Sequence, residues 1–306
     1  MESSTKATQY TLAYLAYELE STKYQAILSI YTLLHQVGPH KSDFQFVIYT
    51  DSNTSVFTKH LAGLPVHYEV LTKAQVKQFR GPYDYVFRIK PHIIQHCFAK
   101  YKSNLLYLDT DTFFRLPPLP MLETIKPGHS IMNAEEYNFV EAGMETMHWF
   151  NLRQVLKQST YVVRGKETQI PLSTFMWNAG IMGISYGDAK LVDDIIELND
   201  AMYAKAQTFI VEQFAASYVL QTFTEMRSTE NYIEHYWLKS IKNTFNVKIP
   251  NFLKENSHKQ GADLYRAAFD FALATVKIHT SSKESILDRV TGRIKVITKA
   301  ARKGYI

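Results

Sequence analysis

The stretch Leu105–Phe114 reads LLYLDTDTFF. Four apolar residues run into two carboxylates one residue apart, Asp109 and Asp111, with Thr110 between them and Thr112 after. A short apolar run that stops at polar residues predicts a buried strand. Carboxylates at its end offer oxygens that suit a hard divalent cation such as Mn²⁺ or Mg²⁺. Thr112, directly after the pair, also suits an aspartyl nucleophile, so the pair alone has two chemistries open to it.

Upstream, YTLAYLA at Tyr10–Ala16, FQFVIYTD at Phe44–Asp51 and VHYEVL at Val66–Leu71 predict strands, and YQAILSIYTLLHQ at Tyr24–Gln36 has apolar residues at helical spacing. DYVFRIKPHIIQHCFAKYK, Asp84–Lys102, predicts a helix whose regular part begins near Lys90, because proline is tolerated only in the first turn and Pro91 would otherwise break it. Downstream, strands are expected at Ser130–Glu136, Phe175–Ser185 and Asn231–Trp237, and helices at Asp188–Ala206 and over IVEQFAASYVLQTF. Strands alternating with helices give an α/β fold with a mostly parallel, doubly wound sheet whose ligand edge carries Asp51 and Asp109. From about Leu238 the chain reads as helical, so we divide it into a catalytic domain over 1–240 and a helical extension with a basic tail over 241–306.

The 306 residues, 46% of them hydrophobic, suffice for one sizeable core. The single cysteine, Cys97, excludes an internal disulfide, and MESSTKATQY lacks the basic start and apolar run of a secretory signal, so a cytoplasmic location is expected. No stretch reaches the roughly 20 apolar residues of a membrane span. His92, His96 and Cys97 lie at helical spacing without a carboxylate ligand and read as a packed helix rather than a zinc site. The net charge of +5 is modest, and nucleic acid is not an expected partner. Arg289, Arg293, Lys295, Lys299, Arg302 and Lys303 crowd the last residues without an acid. That tail is expected either to meet an anionic membrane surface or to dock its apolar stripe on the domain.

The order of motifs resembles that of GT-A nucleotide-sugar transferases, and of glycosyltransferase family eight in particular. The resemblance covers roughly Tyr10–Lys239. LLYLDTDTFFRLPPLPML resembles the D-x-D strand and the apolar turn after it, FRIKPHII the basic pair that precedes it, WNAGIMGIS a stretch near F-N-S/A-G-V-M, and VEQFAASYV the D-Q-x-x-x-N helix. Glu212 stands where the family has aspartate, and Ala216 or Ser217 where it has asparagine. The resemblance implies a transferase that moves a sugar from a nucleotide-diphosphate donor, a UDP-sugar first, to a glycan or lipid-linked acceptor with retention at the anomeric carbon. It implies a metal held by Asp109, Asp111 and a histidine in a pattern H-x-x-G-x-x-K-P-W. His235 with Lys239 and His279 with Lys283 compete for that pattern, and His235 is preferred because it ends an apolar strand. Donor contacts are then expected from Tyr14, Asp51, Arg88, Lys90, Asp109, Thr110 and Lys239, and Asn178, Gln213 and Glu212 are expected around the transferred sugar.

Two other readings stay open. Gly187, Asp188, Asp193 and Asp194 supply a G-D-x4-D pattern like the distal motif of haloacid-dehalogenase-like phosphatases, in which Asp109 would be the nucleophile. The alternative for these acids is that they begin a helix, where carboxylates satisfy free N–H groups. A non-catalytic module that binds a sugar nucleotide is the third reading.

Overall fold

The computed structural model describes residues 10–140 and 147–280. The strands are β1 (Tyr10–Ala16), β2 (Phe44–Thr50), β3 (Val66–Val70), β4 (Asn104–Leu108), β5 (Thr112–Phe114), β6 (His129–Met132), β7 (Glu135–Asn138), β8 (Tyr161–Val163), β9 (Lys166–Thr168), β10 (Phe175–Trp177), β11 (Ile181–Ile184), β12 (Glu225–Ser228) and β13 (Ile233–His235). The helices are α1 (Glu20–Val37), α2 (Ser55–His60), α3 (Lys73–Arg80), α4 (Ile89–Tyr101), α5 (Leu119–Leu122), α6 (Met147–Gln158), α7 (Leu191–Ala206), α8 (Val211–Phe223), α9 (Lys239–Glu255) and α10 (Gly261–Thr280).

Seven strands form one sheet in the order β12-β6-β11-β4-β1-β2-β3. All are parallel except β11, which runs against both β4 and β6. The fold is therefore α/β with a mostly parallel sheet and helices at its C-terminal end. The central position of β1 follows from its sequence, since apolar residues occupy both of its faces and nearly all are buried.

Alternation along the strands sorts side chains into two cores. Ala13, Val47, Leu105 and Tyr107 face α4, α7 and α8, whereas Leu12, Tyr14, Phe46, Leu106 and Leu108 face α1, α9 and α10. Helix α1 is buried almost all round because the sheet lies on one side and α9 and α10 on the other. It stops at Gly38, whose φ of +50° a residue with a side chain rarely adopts. Residues of α9 and α10 thus share one apolar cluster with β1, across the boundary drawn at 240.

Helix α4 begins at Ile89, with a 3-10 turn over Val86–Arg88, so Pro91 sits in its first turn as its chemistry requires. Three expected strands are broken: Ser130–Glu136 divides between β6 and β7, which lie in different sheets. Phe175–Ser185 splits into β10 and β11 at a turn through Asn178 and Gly180, and Asn231–Trp237 shortens to β13, which pairs with β5 outside the main sheet. The last two breaks occur where the chain turns side chains toward the same point.

Candidate metal centre at the carboxyl edge of the sheet

Strand β4 ends at Leu108, and the next three residues form a pinned turn. The Asp109 N–H donates to the Gly180 carbonyl at 2.7 Å and the Tyr236 N–H to the Asp111 carbonyl at 3.0 Å. The Thr110 hydroxyl donates inward to Gln25 of α1 at 2.9 Å, and the Thr112 hydroxyl to the Asp109 carbonyl at 2.9 Å. This turn delivers both carboxylates to β13. Asp109, Asp111 and His235 each offer one ligand atom, all within 4.8 Å of one another. His235 Nε2 lies 3.4 Å from Asp111 Oδ1 and 3.9 Å from Asp109 Oδ2.

The imidazole is oriented by its other nitrogen. Asn178 Nδ2 donates to Glu136 Oε1 at 2.9 Å, which fixes the amide and leaves its Oδ1 to face His235 Nδ1 at 2.8 Å. An amide oxygen only accepts, so Nδ1 carries a proton and Nε2 is the nitrogen turned to the carboxylates. Gly180 makes room for the ring, because a Cβ there would fall 2.1 Å from His235 Cε1. Burial pushes the Asp111 carboxyl up, but His235 and the Lys242 ammonium, 2.7 Å away, outweigh it and hold the carboxyl below its ordinary value. Two carboxylates and an oriented imidazole are a donor set that fits Mn²⁺ or Mg²⁺.

Lys90 stands behind this cluster. Its Nζ lies 3.4 Å from Asp109, 3.0 Å from the Ala179 carbonyl and 3.6 Å from Glu212 Oε1. Burial pulls its pKa down, and the Asp109 and Glu212 carboxylates more than restore it, so the ammonium stays charged. Glu212 is buried, which pushes its carboxyl up to about 7 against the pull of Lys90. Gln213 donates to Glu136 Oε2 at 2.9 Å. One carboxylate, Glu136, therefore ties Asn178 to Gln213.

Asp109, Asp111, His235, Asn178, Lys90, Glu212 and Gln213 thus converge on one place. Asp51 lies on the same edge of the sheet after β2, where it accepts from Lys23 Nζ at 2.8 Å and from the Glu18 N–H at 2.9 Å. Tyr14, Arg88 and Thr110 turn their side chains elsewhere. Tyr14 has no exposed surface and its hydroxyl meets Ser29 of α1, so no base can stack on it. Arg88 forms a forked pair with Asp200 at 2.6 and 2.7 Å and donates to the Phe79 carbonyl, which ties α3 to α7 instead of reaching the centre. The Thr110 side chain points into the core. Lys239 is exposed at the start of α9, and Lys242, almost one turn on, is the lysine that meets Asp111. His279 lies in the last turn of α10 with its side chain outside the described residues, as does the whole basic tail from 281.

No protein-family model and no curated protein matches the sequence. Among solved structures, mouse xyloside xylosyltransferase 1 in its apo form is similar with 12% identity and a TM-score of 0.47, over 72% of this chain and 84% of that one. The galactosyltransferase LgtC, in complex with donor and acceptor sugar analogues, gives 11%, 0.48, 72% and 73%. The glycosyltransferase GlyE of Streptococcus pneumoniae TIGR4 gives 11%, 0.47, 82% and 64%. At that distance the chemistry has to be read from the residues themselves.

They argue against the aspartyl nucleophile. The reversed β11 carries the chain from Gly180 down to the opposite edge, where the Tyr186 N–H meets the Asn104 side chain at 3.0 Å. Five residue steps of about 3.3 Å, from Asn104 to Asp109, put that edge roughly 16 Å from Asp109. There Asp188 accepts from the Gly128 N–H, Asp193 from Gln95, and Asp194 faces Arg164. These acids hold the start of α7 and its neighbours and cannot join Asp109 in one site.

Residues that the sequence reading passed over are Lys242, Glu136, Lys23, Gly180 and Gln25. For Lys242 a signal existed: the resembled pattern sets its lysine six places after the histidine, and Lys242 stands seven after His235, closer than Lys239 at four. Glu136 lay in a stretch already read as a strand end. Lys23 and Gln25 sit on a helix whose partners only the fold reveals.

Proposed function

We propose that this protein is a metal-dependent glycosyltransferase of the GT-A type, acting on a nucleotide-diphosphate sugar. A UDP-sugar is the expected donor, and the expected mode is the family-eight one of retention. The observation that carries this reading is the convergence of Asp109, Asp111 and a tautomer-fixed His235 at the carboxyl edge of the sheet, where α/β folds bind nucleotides. A divalent ion held there supplies Lewis acidity to a leaving diphosphate.

The chain's own groups do the rest. Lys242 and Lys90 place two ammonium groups against the carboxylates, positioned to neutralise phosphate oxygens as point charges. Asn178 and Gln213, braced by Glu136, hold their amides rigid beside the centre, where the transferred sugar would lie. Asp51, with Lys23, offers a carboxylate for ribose or base hydroxyls and N–H groups over β2.

Isothermal titration of UDP with and without Mn²⁺ tests the reading. Tight UDP binding that needs Mn²⁺, lost in His235→Ala, is the expected outcome. Indifference to UDP, or a beryllium fluoride adduct on Asp109, would favour the phosphatase, and binding without donor turnover would leave a binding module.

A further inference from the structure

A polar groove opens beside the metal centre and has no part in the functions assigned so far. It encloses about 300 Å³ and is lined by Arg115, Asn133, Glu230, Asn231 and Glu234, with His235 forming one wall. We propose that this groove is the acceptor subsite and that its occupant is the neutral, hydroxyl-rich end of a glycan, an assignment that rests on the glycosyltransferase reading.

Position is the first argument. Asn133 follows β6 and Asn231 follows β12, the strands beyond β4 on the side away from β1 and β2. Asp51 and Lys23 lie on the β1–β2 side. The centre at the end of β4 therefore separates two half-sites, and a group passed from one to the other crosses His235.

Charge is the second. Arg115 is held by Glu234 at 3.1 Å, and one guanidinium against two carboxylates leaves the groove net negative. A diphosphate or a phosphorylated lipid headgroup is repelled there, whereas Lys90 and Lys242 attract it to the other side of the carboxylates. A neutral sugar meets no such penalty. Its hydroxyls both donate and accept, which matches a lining of two amides, two carboxylates and a guanidinium.

Rigidity is the third. Asn133 is nearly buried, its N–H donates to the Asn178 carbonyl at 3.2 Å, and its carbonyl accepts from the Ser228 hydroxyl and the Thr229 N–H. A preformed polar floor keeps the entropic cost of binding low. The volume lies at the lower end of ligand pockets and suits about one or two pyranose rings.

The test uses the full chain, labelled with ¹⁵N, and three neutral probes at high millimolar concentration: methyl β-galactoside, methyl α-glucoside and methyl β-xyloside. At least one should shift the amides of Asn133, Glu230 and Asn231. The double variant Glu230→Ala/Asn231→Ala, altered only at exposed groups, should weaken that glycoside about fivefold or more through the loss of hydrogen bonds. Its titration with UDP and Mn²⁺ should match the parent's. Shifts confined to other surfaces, or no response to any of the three glycosides, would overturn the assignment. Failure of the functional reading looks different, because UDP and Mn²⁺ would then not bind even to the unaltered protein.

Discussion

Gly180 and Asn178 act on the same imidazole, one by what it lacks and the other by its amide oxygen. Gly180→Ala should push the His235 ring off the carboxylates, and Asn178→Ala should free its tautomer. Each should weaken Mn²⁺ by about 10–100-fold, the range for residues that orient a metal ligand, with circular dichroism unchanged. Glu212 makes a prediction about pH. Its folded pKa of about 7 stands above the unfolded value, so the folded state binds more protons, and its cost to stability accumulates from about pH 4 until the folded group has titrated. Glu212→Gln should therefore be the more stable protein at pH 8 in urea melts and lose that advantage at pH 4. Cys97 is buried, which pushes its thiol up to about 12, so a thiol reagent at neutral pH should label it only as fast as the protein opens. Asp109, Asp111 and His235 were legible because carboxylates at a strand end and a histidine after an apolar run are local signals. Tyr14 and Arg88 were not. Which face of β1 meets a helix, and which acid across the fold claims a guanidinium, are decided by packing between distant segments.

At the scale of elements, the turn between β10 and β11 was hidden inside one apolar run, FMWNAGIMGIS. Hydrophobicity alone hides such a break, because both strands are buried; Asn178 and Gly180 between them were its local marks. The start of α9 matters in a comparable way. Phe245 is fully buried and stacks on Tyr236 at 3.9 Å, and the Tyr236 N–H holds the Asp111 carbonyl. Removing the Phe245 ring should cost about 3–5 kcal/mol. The same change should loosen Lys242, which lies one turn earlier, so Phe245→Ala is expected to weaken UDP as well as to lower the urea midpoint. A variant that loses stability and keeps parental UDP affinity would show that α9 does not position the lysine.

For the whole molecule, α6, the β8–β9 hairpin, β12 and the reversal of β11 escaped the periodicity, while β1 to β4, α1, α4, α7 and α8 were readable from it. The placing of the last helices was not, since an amphipathic pattern says that a face is covered and not by what. In the fold, Phe252 stacks on Phe271 at 4.6 Å, and both pack with α1 against β1. A chain truncated after residue 240 should consequently strip the apolar cover from α1 and aggregate, as judged by gel filtration, whereas an independent catalytic domain would remain monomeric and bind UDP. Among the described residues no helix is long and apolar enough to cross a membrane. The reversed strand β11 has a practical consequence. Its first residue abuts the glycine beneath His235, and just past its last, on the opposite rim, stands the half-exposed Tyr186. A chemical handle attached at that rim would fasten the protein to a bead or sensor chip with its reactive face turned outward to the solution.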